Sequence, residues 1–131
     1  MPFDFQFDVE TAVNPGQTNY HAGVSAEQAV ARYYTDQGTK VRESRWRGRC
    51  GEIDLILQDR DQIVFVEVKK SKTHAAAVAR ITPRQMARVF ASGEDYLGQC
   101  PHGTLTESRC DVALVDAKGE IEIISNVSMM M

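Results

Sequence analysis

The sequence has only three cysteines, Cys50, Cys100 and Cys110, an odd number spread widely along the chain. That argues against a disulfide framework and fits a reducing compartment. There is no CxxC pair, and Cys100, His102 and Cys110 would need a fourth ligand from afar, so a zinc site is not indicated. No run approaches the roughly 18 to 20 apolar residues of a membrane-spanning helix. The opening residues, Met1 to Asp8, lack the basic start and apolar stretch of a signal peptide, so the expected location is the cytoplasm. His21 and His74 fall in expected loops and His102 follows Pro101; none has a recognisable partner, and all three are expected at the surface.

What is present fits one domain: 131 residues, 43% hydrophobic and 25% charged. The net charge of −3 discourages a nucleic-acid partner at first sight, because phosphate binding is largely electrostatic. The distribution points the other way. Residues 40–88 carry 12 of the 15 Lys and Arg against 6 acids, while the flanks carry 3 against 12. A basic centre between acidic ends is a hint about a partner, not about a fold.

Residues 1–22 read as an N-terminal arm in which Phe3, Phe5, Phe7 and Val9 alternate with polar residues, before a turn-rich Asn14-Pro15-Gly16. An edge strand, a partner-binding arm and disorder all fit it. The domain proper spans 23–127, and 128–131 form a tail. Ser25 and Gln28 have capping-box spacing, and Ala26, Ala29, Val30, Tyr33 and Tyr34 recur at helical spacing, so a helix is predicted over roughly 26–37, with Gly38 as its stop. Strands follow near 40–47, 52–58 and 63–69, the last two joined as a hairpin through Asp59-Arg60-Asp61-Gln62. Thr82-Pro83-Arg84-Gln85 starts a second helix, with Met86, Val89, Phe90, Gly93 and Leu97 as its apolar stripe and an end near Gly98. A last hairpin joins 110–115 to 120–124. The order αβββαββ predicts an α/β fold, a central mixed sheet flanked by two main helices.

With the central turn between Arg60 and Asp61, paired positions sum to 121, which sets Asp54 opposite Glu67 and Glu52 opposite Lys69. Ile53, Leu55, Leu57, Val64, Val66 and Val68 would then share one apolar face; the other carries Ile56 and Phe65 near the turn and the four charged residues away from it. Carboxylates about 5 Å apart repel by on the order of 3 kcal/mol at an effective dielectric near 20. A hard divalent cation, Mg²⁺ or Mn²⁺, offsets that best and needs few protein carboxylates. Lys69 would reach the attacking water or the phosphate. The bland alternative is a solvated ion-pair cluster on a half-exposed sheet.

Gly51-Glu52-Ile53-Asp54-Leu55-Ile56 and Val64-Phe65-Val66-Glu67-Val68-Lys69 resemble the signature of the YraN-type family of uncharacterised bacterial proteins, related to Holliday-junction-resolvase-like nucleases of the PD-(D/E)XK superfamily. Gly23, Glu27, Arg45, Arg47 and Arg109-Cys110-Asp111-Val112 extend the resemblance over roughly 22–127. It implies a restriction-endonuclease-like core, with Asp54, Glu67 and the Val68 carbonyl holding a metal, Lys69 activating or positioning water, and Glu27 completing the site. An acid in a helix's first turn also complements the helix dipole, which is the competing account of Glu27. The position after the core motif that is often Arg in the family reads Lys70-Ser71-Lys72 here, and the basic residue early in the second helix is Arg84, with Gln85 beside it.

Arg42, Arg45, Arg47, Arg49, Lys70, Lys72, Arg80, Arg84 and Arg88 are the candidates for gripping phosphates, with Glu52 and Gln85 in support. Trp46 either stacks on a base or joins the core. The hydroxyls of Tyr33, Tyr34 and Tyr96 are expected to be wet. The reading that results is a metal-dependent endonuclease acting on DNA, branched DNA by family analogy, and a homodimer because junction-cutting relatives act on two strands. Its rivals are a non-catalytic nucleic-acid-binding module with a retained fold and a protein-interaction domain using the Phe-rich arm.

Overall fold

The computed structural model describes residues 15–127; the expected alternation of Phe3 to Val9 and the tail 128–131 lie outside them. Helix α1 (Pro15–Thr35) leads into strands β1 (Lys40–Arg47), β2 (Glu52–Asp59) and β3 (Gln62–Lys70). Helices α2 (His74–Ala79) and α3 (Pro83–Leu97) and a 3-10 turn (Gly103–Leu105) precede β4 (Ser108–Val115) and β5 (Ile121–Ile124). The sheet order is β1-β2-β3-β4-β5, with β3 and β4 parallel and the other neighbours antiparallel. The α/β class and the mixed sheet are as expected, with one short helix more.

That extra helix lies where no element is predicted. Thr73 caps it, accepting the N–H of Ala76 at 3.0 Å, and His74 opens it rather than lying in a loop. His21 likewise lies within α1. The first helix begins 11 residues before the expected 26, at Pro15, whose fixed φ and missing N–H suit a first turn. Ser25 is therefore interior to the helix and is not its cap.

Helix α3 follows its sequence signals: Thr82 accepts the Gln85 N–H at 3.1 Å, Pro83 is in the first turn, and Gly98 closes the end. Met86, Val89, Gly93 and Leu97 are buried. Gly93 is required there because an added Cβ would come within 3.0 Å of the Phe65 ring.

The two sheet faces carry separate cores. On one, Ala26, Val30 and Tyr34 of α1 cover Leu55, Leu57, Val64, Val66, Ala113 and Val115. On the other, Met86, Val89, Tyr96 and Leu97 of α3 cover Ile53, Ile56, Phe65, Cys110 and Val112, with Trp46 packed at the margin edge-on to Tyr96. Each fully buried aliphatic side chain contributes about 1.5–3 kcal/mol.

Ile53 departs from expectation. Two residues from Leu55, it should share that face in a regular strand, yet it packs on the α3 side. The step between them is Asp54. Its neighbour across β1, flanked by the pairs Ser44 with Leu55 and Trp46 with Ile53, is Arg45, whose φ of 54° is left-handed and unusual for a side chain of this kind. Asp54 thus lies where the pleat is broken.

Tyr33 is 40% exposed, whereas the hydroxyls of Tyr34 and Tyr96 are not wet. Tyr34 donates to Asp111 at 2.8 Å, and Tyr96 accepts from Arg42 Nε at 2.7 Å.

Candidate functional site

The β2–β3 ladder runs from Asp59 with Gln62 to Leu55 with Val66, and the numbers of each pair sum to 121 as expected. There it ends. At the next position the Asp54 carboxylate, rather than a backbone carbonyl, takes the Val68 N–H at 2.8 Å. The hairpin therefore opens at its far end with Asp54 and Glu67 in the gap. Glu52 departs from its expected place opposite Lys69: it pairs with Arg47 on β1, and its carboxylate lies 3.9 Å from Arg45.

A cleft of about 730 Å³ opens here on the α1 side, lined by Glu27, Asp54, Glu67, Val68, Lys69, Lys70, Ser71, Lys72 and Arg80. A second lobe, of about 320 Å³, opens toward α3 and is lined by Arg47, Gly51, Glu52, Gln85, Arg88 and Val89. Asp54 and Glu67 line both. Gly51 carried a signal in the sequence only as the first residue of the Gly51–Ile56 motif, and Ser71 carried no functional signal beyond its neighbours.

Glu27 reaches the cleft from the middle of α1. Because the helix begins at Pro15, the first-turn account of this acid does not apply. It pairs with Arg45 at 3.3 Å, and Glu67 pairs with Lys69 at 3.5 Å. Burial, reinforced by the Asp54 charge, pushes Glu67 up to about 8 and Glu27 up to about 7, while Lys69 and Arg45 pull the other way. Asp54 is raised by burial too, countered by its bond to Val68. These acids have too few donors to hold their charge comfortably. Among the described residues no group of three or more His, Cys, Asp or Glu side chains is arranged to hold a metal ion.

The expected phosphate-gripping residues divide. Lys70, Lys72 and Arg80 line the larger lobe, where Arg80 also donates to the Lys70 carbonyl at 2.6 Å; Arg47 and Arg88 line the smaller. Arg84 is exposed on α3 one turn before Arg88. Arg42 lines neither lobe: it bonds Tyr96 and Gln58 and lies over the Tyr96 ring. Arg49 is tied to Asp95. His74, expected without a partner, contacts the Glu120 carbonyl at 2.9 Å and Glu122 at 3.1 Å.

Arg109 and Asp111, which carried part of the family resemblance, do not line either lobe. Arg109 Nε donates to Asp111 at 3.1 Å and its guanidinium to Gln62 at 2.8 Å, so this motif serves packing.

The sequence pattern of the uncharacterised protein family UPF0102 matches residues 26–115. A UPF0102 protein of Cereibacter sphaeroides (strain KD131) is 53% identical over 111 residues, covering 85% of this chain and 95% of its own. One from Roseobacter denitrificans is 51% identical over 114 residues, covering 87% and 88%, and one from Ruegeria pomeroyi is 48% identical over 111 residues, covering 85% and 90%. The matched span begins at Ala26, next to Glu27, and ends with β4, so it takes in every residue that lines the cleft except Ala117, and the chain belongs to the UPF0102, or YraN-type, family within the PD-(D/E)XK-like superfamily.

Proposed function

We propose that this protein is a divalent-metal-dependent endonuclease that hydrolyses DNA phosphodiesters, branched DNA by family analogy, in the cleft between α1 and the open end of the β2–β3 hairpin. The observation that carries the reading is the Asp54–Glu67 pair, two carboxylates crowded at a broken pleat inside a cleft that Glu27 also lines and to which Lys69, Lys70, Lys72 and Arg80 bring four cations. A solvated ion-pair cluster does not account for it, because the Glu67 and Lys69 side chains are only 14% and 11% exposed.

The donor set suits Mg²⁺ or Mn²⁺. Such ions keep several waters and need only one or two protein carboxylates plus substrate phosphate oxygens, so Asp54 and Glu67, with the Val68 carbonyl and Glu27, are a sufficient protein share without a tight three-acid cluster. When bound, the cation supplies charge neutralisation and Lewis acidity toward the phosphodiester. Lys69 holds a positive charge beside Glu67, where negative charge develops during attack. Lys70, Lys72 and Arg80 hold the backbone of the same strand on the α1 side, and Arg47, Arg84 and Arg88 hold its continuation on the α3 side. Arg45 orients Glu27 and Glu52. The protein acts in the cytoplasm, as a homodimer on two-stranded substrates, a state that light scattering would reveal.

The absence of a three-acid cluster among the described residues favours one other reading, a non-catalytic nucleic-acid-binding module. The two separate in one experiment: labelled four-way junctions, linear duplex and single strands incubated with Mg²⁺ or Mn²⁺. Wild type is expected to cut, and Asp54→Ala, Glu67→Ala and Lys69→Ala to lose at least a hundredfold in rate, about 2.7 kcal/mol of barrier. Salt-sensitive binding with no cutting by wild type would leave the module; neither binding nor cutting would overturn both.

A further inference from the structure

Gln85 occupies the capping-box position of α3, where a side chain ordinarily turns back to the N–H of the capping residue. Only half of that box is made: Thr82 accepts the Gln85 N–H at 3.1 Å, but Gln85 Oε1 has no hydrogen-bond partner, although it is buried. Orphaned buried acceptors are uncommon and call for an explanation. This one belongs to a residue lining the smaller lobe, together with Val89, Arg47 and Arg88.

The lobe has a fixed wall. The turn between β1 and β2 closes with the Gly48 N–H on the Gly51 carbonyl at 3.0 Å, and it is fastened to α3 twice. Ser92 donates to the Gly51 carbonyl at 3.2 Å, and Asp95 accepts the Arg49 N–H at 3.0 Å. Gly48 permits this closeness, because a Cβ there would meet the Trp46 ring at 2.6 Å and Asp95 at 2.8 Å. The lobe is thus held open between two elements that are pinned together.

Its size, about 320 Å³, lies at the small end of ligand pockets. Its lining combines an apolar floor at Val89, the Gln85 side chain with its unmet acceptor and two exposed guanidinium groups at Arg47 and Arg88, with the carboxylates of Glu52, Asp54 and Glu67 completing it on the side of the larger lobe. A flat apolar ring that carries N–H donors and is attached to a phosphate meets the first three, and the carboxylates mark where the scissile phosphate and its cation would lie. From this we infer that the smaller lobe is a subsite for one unpaired nucleobase adjacent to the scissile phosphate, with a Watson–Crick N–H donating to Gln85 Oε1 and Arg47 and Arg88 holding the flanking phosphate. Every base carries an N–H on that edge, and in a duplex that donor is already used. The subsite therefore selects for an unpaired nucleotide without selecting its identity, because it asks only for a Watson–Crick N–H that leaving the stack sets free. This inference rests on the nucleic-acid reading above and adds to it the kind of site at which the strand is cut: an end, a flap or a junction.

The test is equilibrium binding of two labelled eight-nucleotide single strands, all-thymidine and all-abasic, followed by fluorescence anisotropy in Ca²⁺ at low salt. Wild type is expected to bind the thymidine strand at least tenfold more tightly. Gln85→Leu should reduce that ratio to threefold or less while leaving abasic binding unchanged; Gln85→Glu, which keeps an acceptor, should retain it; and Arg88→Ala should weaken both strands equally. Because the Gln85 side chain makes no hydrogen bond in the fold, the thermal midpoint of Gln85→Leu should match wild type, so a folding defect is separable. A base-dependent ratio that survives Gln85→Leu, or no ratio in wild type, would overturn the subsite. If Asp54→Ala still abolished cutting in that event, the nuclease would stand without it; if wild type bound neither strand and cut nothing, the nuclease reading would fail as well.

Discussion

Asp111 and Glu67 lie on adjacent strands, one residue apart in the parallel register that sets Asp111 beside Val66 and Glu67 beside Val112. Asp111 is fully buried and fully served: it receives the Tyr34 hydroxyl at 2.8 Å, Arg109 Nε at 3.1 Å and the Asn126 N–H at 2.9 Å. Glu67, whose side chain is 14% exposed at the cleft, has Lys69 at 3.5 Å and is raised by burial and by the Asp54 charge. The first acid ties α1, β4 and the segment after β5 together and has no capacity left for a ligand. The second is kept short of donors inside a cleft, which costs stability and leaves it able to meet a cation. What separates a structural acid from a chemical one here is the number of donors around it and its opening onto the cleft.

The sharpest way to break that comparison is to delete each acid. Asp111→Ala leaves the Tyr34 hydroxyl unpaired and Arg109 with only Gln62 and, at 3.9 Å, Asp59, and should cost about 3–5 kcal/mol, the usual penalty for halving a buried charged network. Urea unfolding would measure it. Asp54→Ala in the same assay should change stability by less than about 1 kcal/mol, since it removes a repelling charge along with one hydrogen bond.

Next in size is the effect of the cation. Mg²⁺ at ten times its dissociation constant should stabilise wild type by about 1.4 kcal/mol. The thermal shift should vanish in the Asp54→Ala/Glu67→Ala double variant and persist in Asp111→Asn wherever that variant folds. An undiminished shift in the double variant would place the cation elsewhere.

A smaller effect depends on pH. Glu67 and Glu27 are raised from an ordinary 4.5 to about 8 and about 7. A carboxyl raised by folding gives its stability below its unfolded value, and that stability is lost as pH rises through the folded value. In EDTA the thermal midpoint should therefore fall between pH 5 and pH 8.5, and Glu67→Gln should flatten that fall. A midpoint that rises with pH across this window would contradict the crowding of these acids.

The smallest effect expected is at His74, raised by its bond to the Glu120 carbonyl and by Asp116 and Glu122. Its contribution is present when the ring is protonated and lost as pH rises through its folded value. His74→Ala should thus lower the thermal midpoint slightly at pH 5 and leave it unchanged at pH 9.

Much of this was readable in advance wherever a local rule operated. Thr82-Pro83 and Gly98 bounded α3, and the Arg60-Asp61 turn set the 121 register that brings Asp54 toward Glu67. Reading failed where the deciding contact was distant or the local signal was mixed. Ile53 changed face across from a left-handed Arg45, a backbone state that nothing in an Arg announces. Tyr34 seemed a wet hydroxyl because Asp111 is 77 residues away. Helix α1 was cut short because Asn14-Pro15-Gly16 has turn composition, yet proline also begins helices. The alanine-rich run in α2 has no stripe to reveal it, and only Thr73 marked its start. At the site, the carboxylates were legible from spacing, whereas the division of the cleft into two lobes, and Gln85 abandoning its cap, follow from how α3 packs against the β1–β2 turn.

Strand β1 has one more consequence. It lies at the sheet's border, exposed along nearly its whole length, with a register shift between Val41 and Glu43 and with Lys40, Arg42, Arg45 and Arg47 along it. An open border strand is a template on which another chain can polymerise, and proteins blunt such borders with cations and bulges. Here both devices coincide. Two copies meeting along β1 would set cation against cation across an irregular ladder, so the basic, kinked strand that frames the cleft also disfavours self-association along that border.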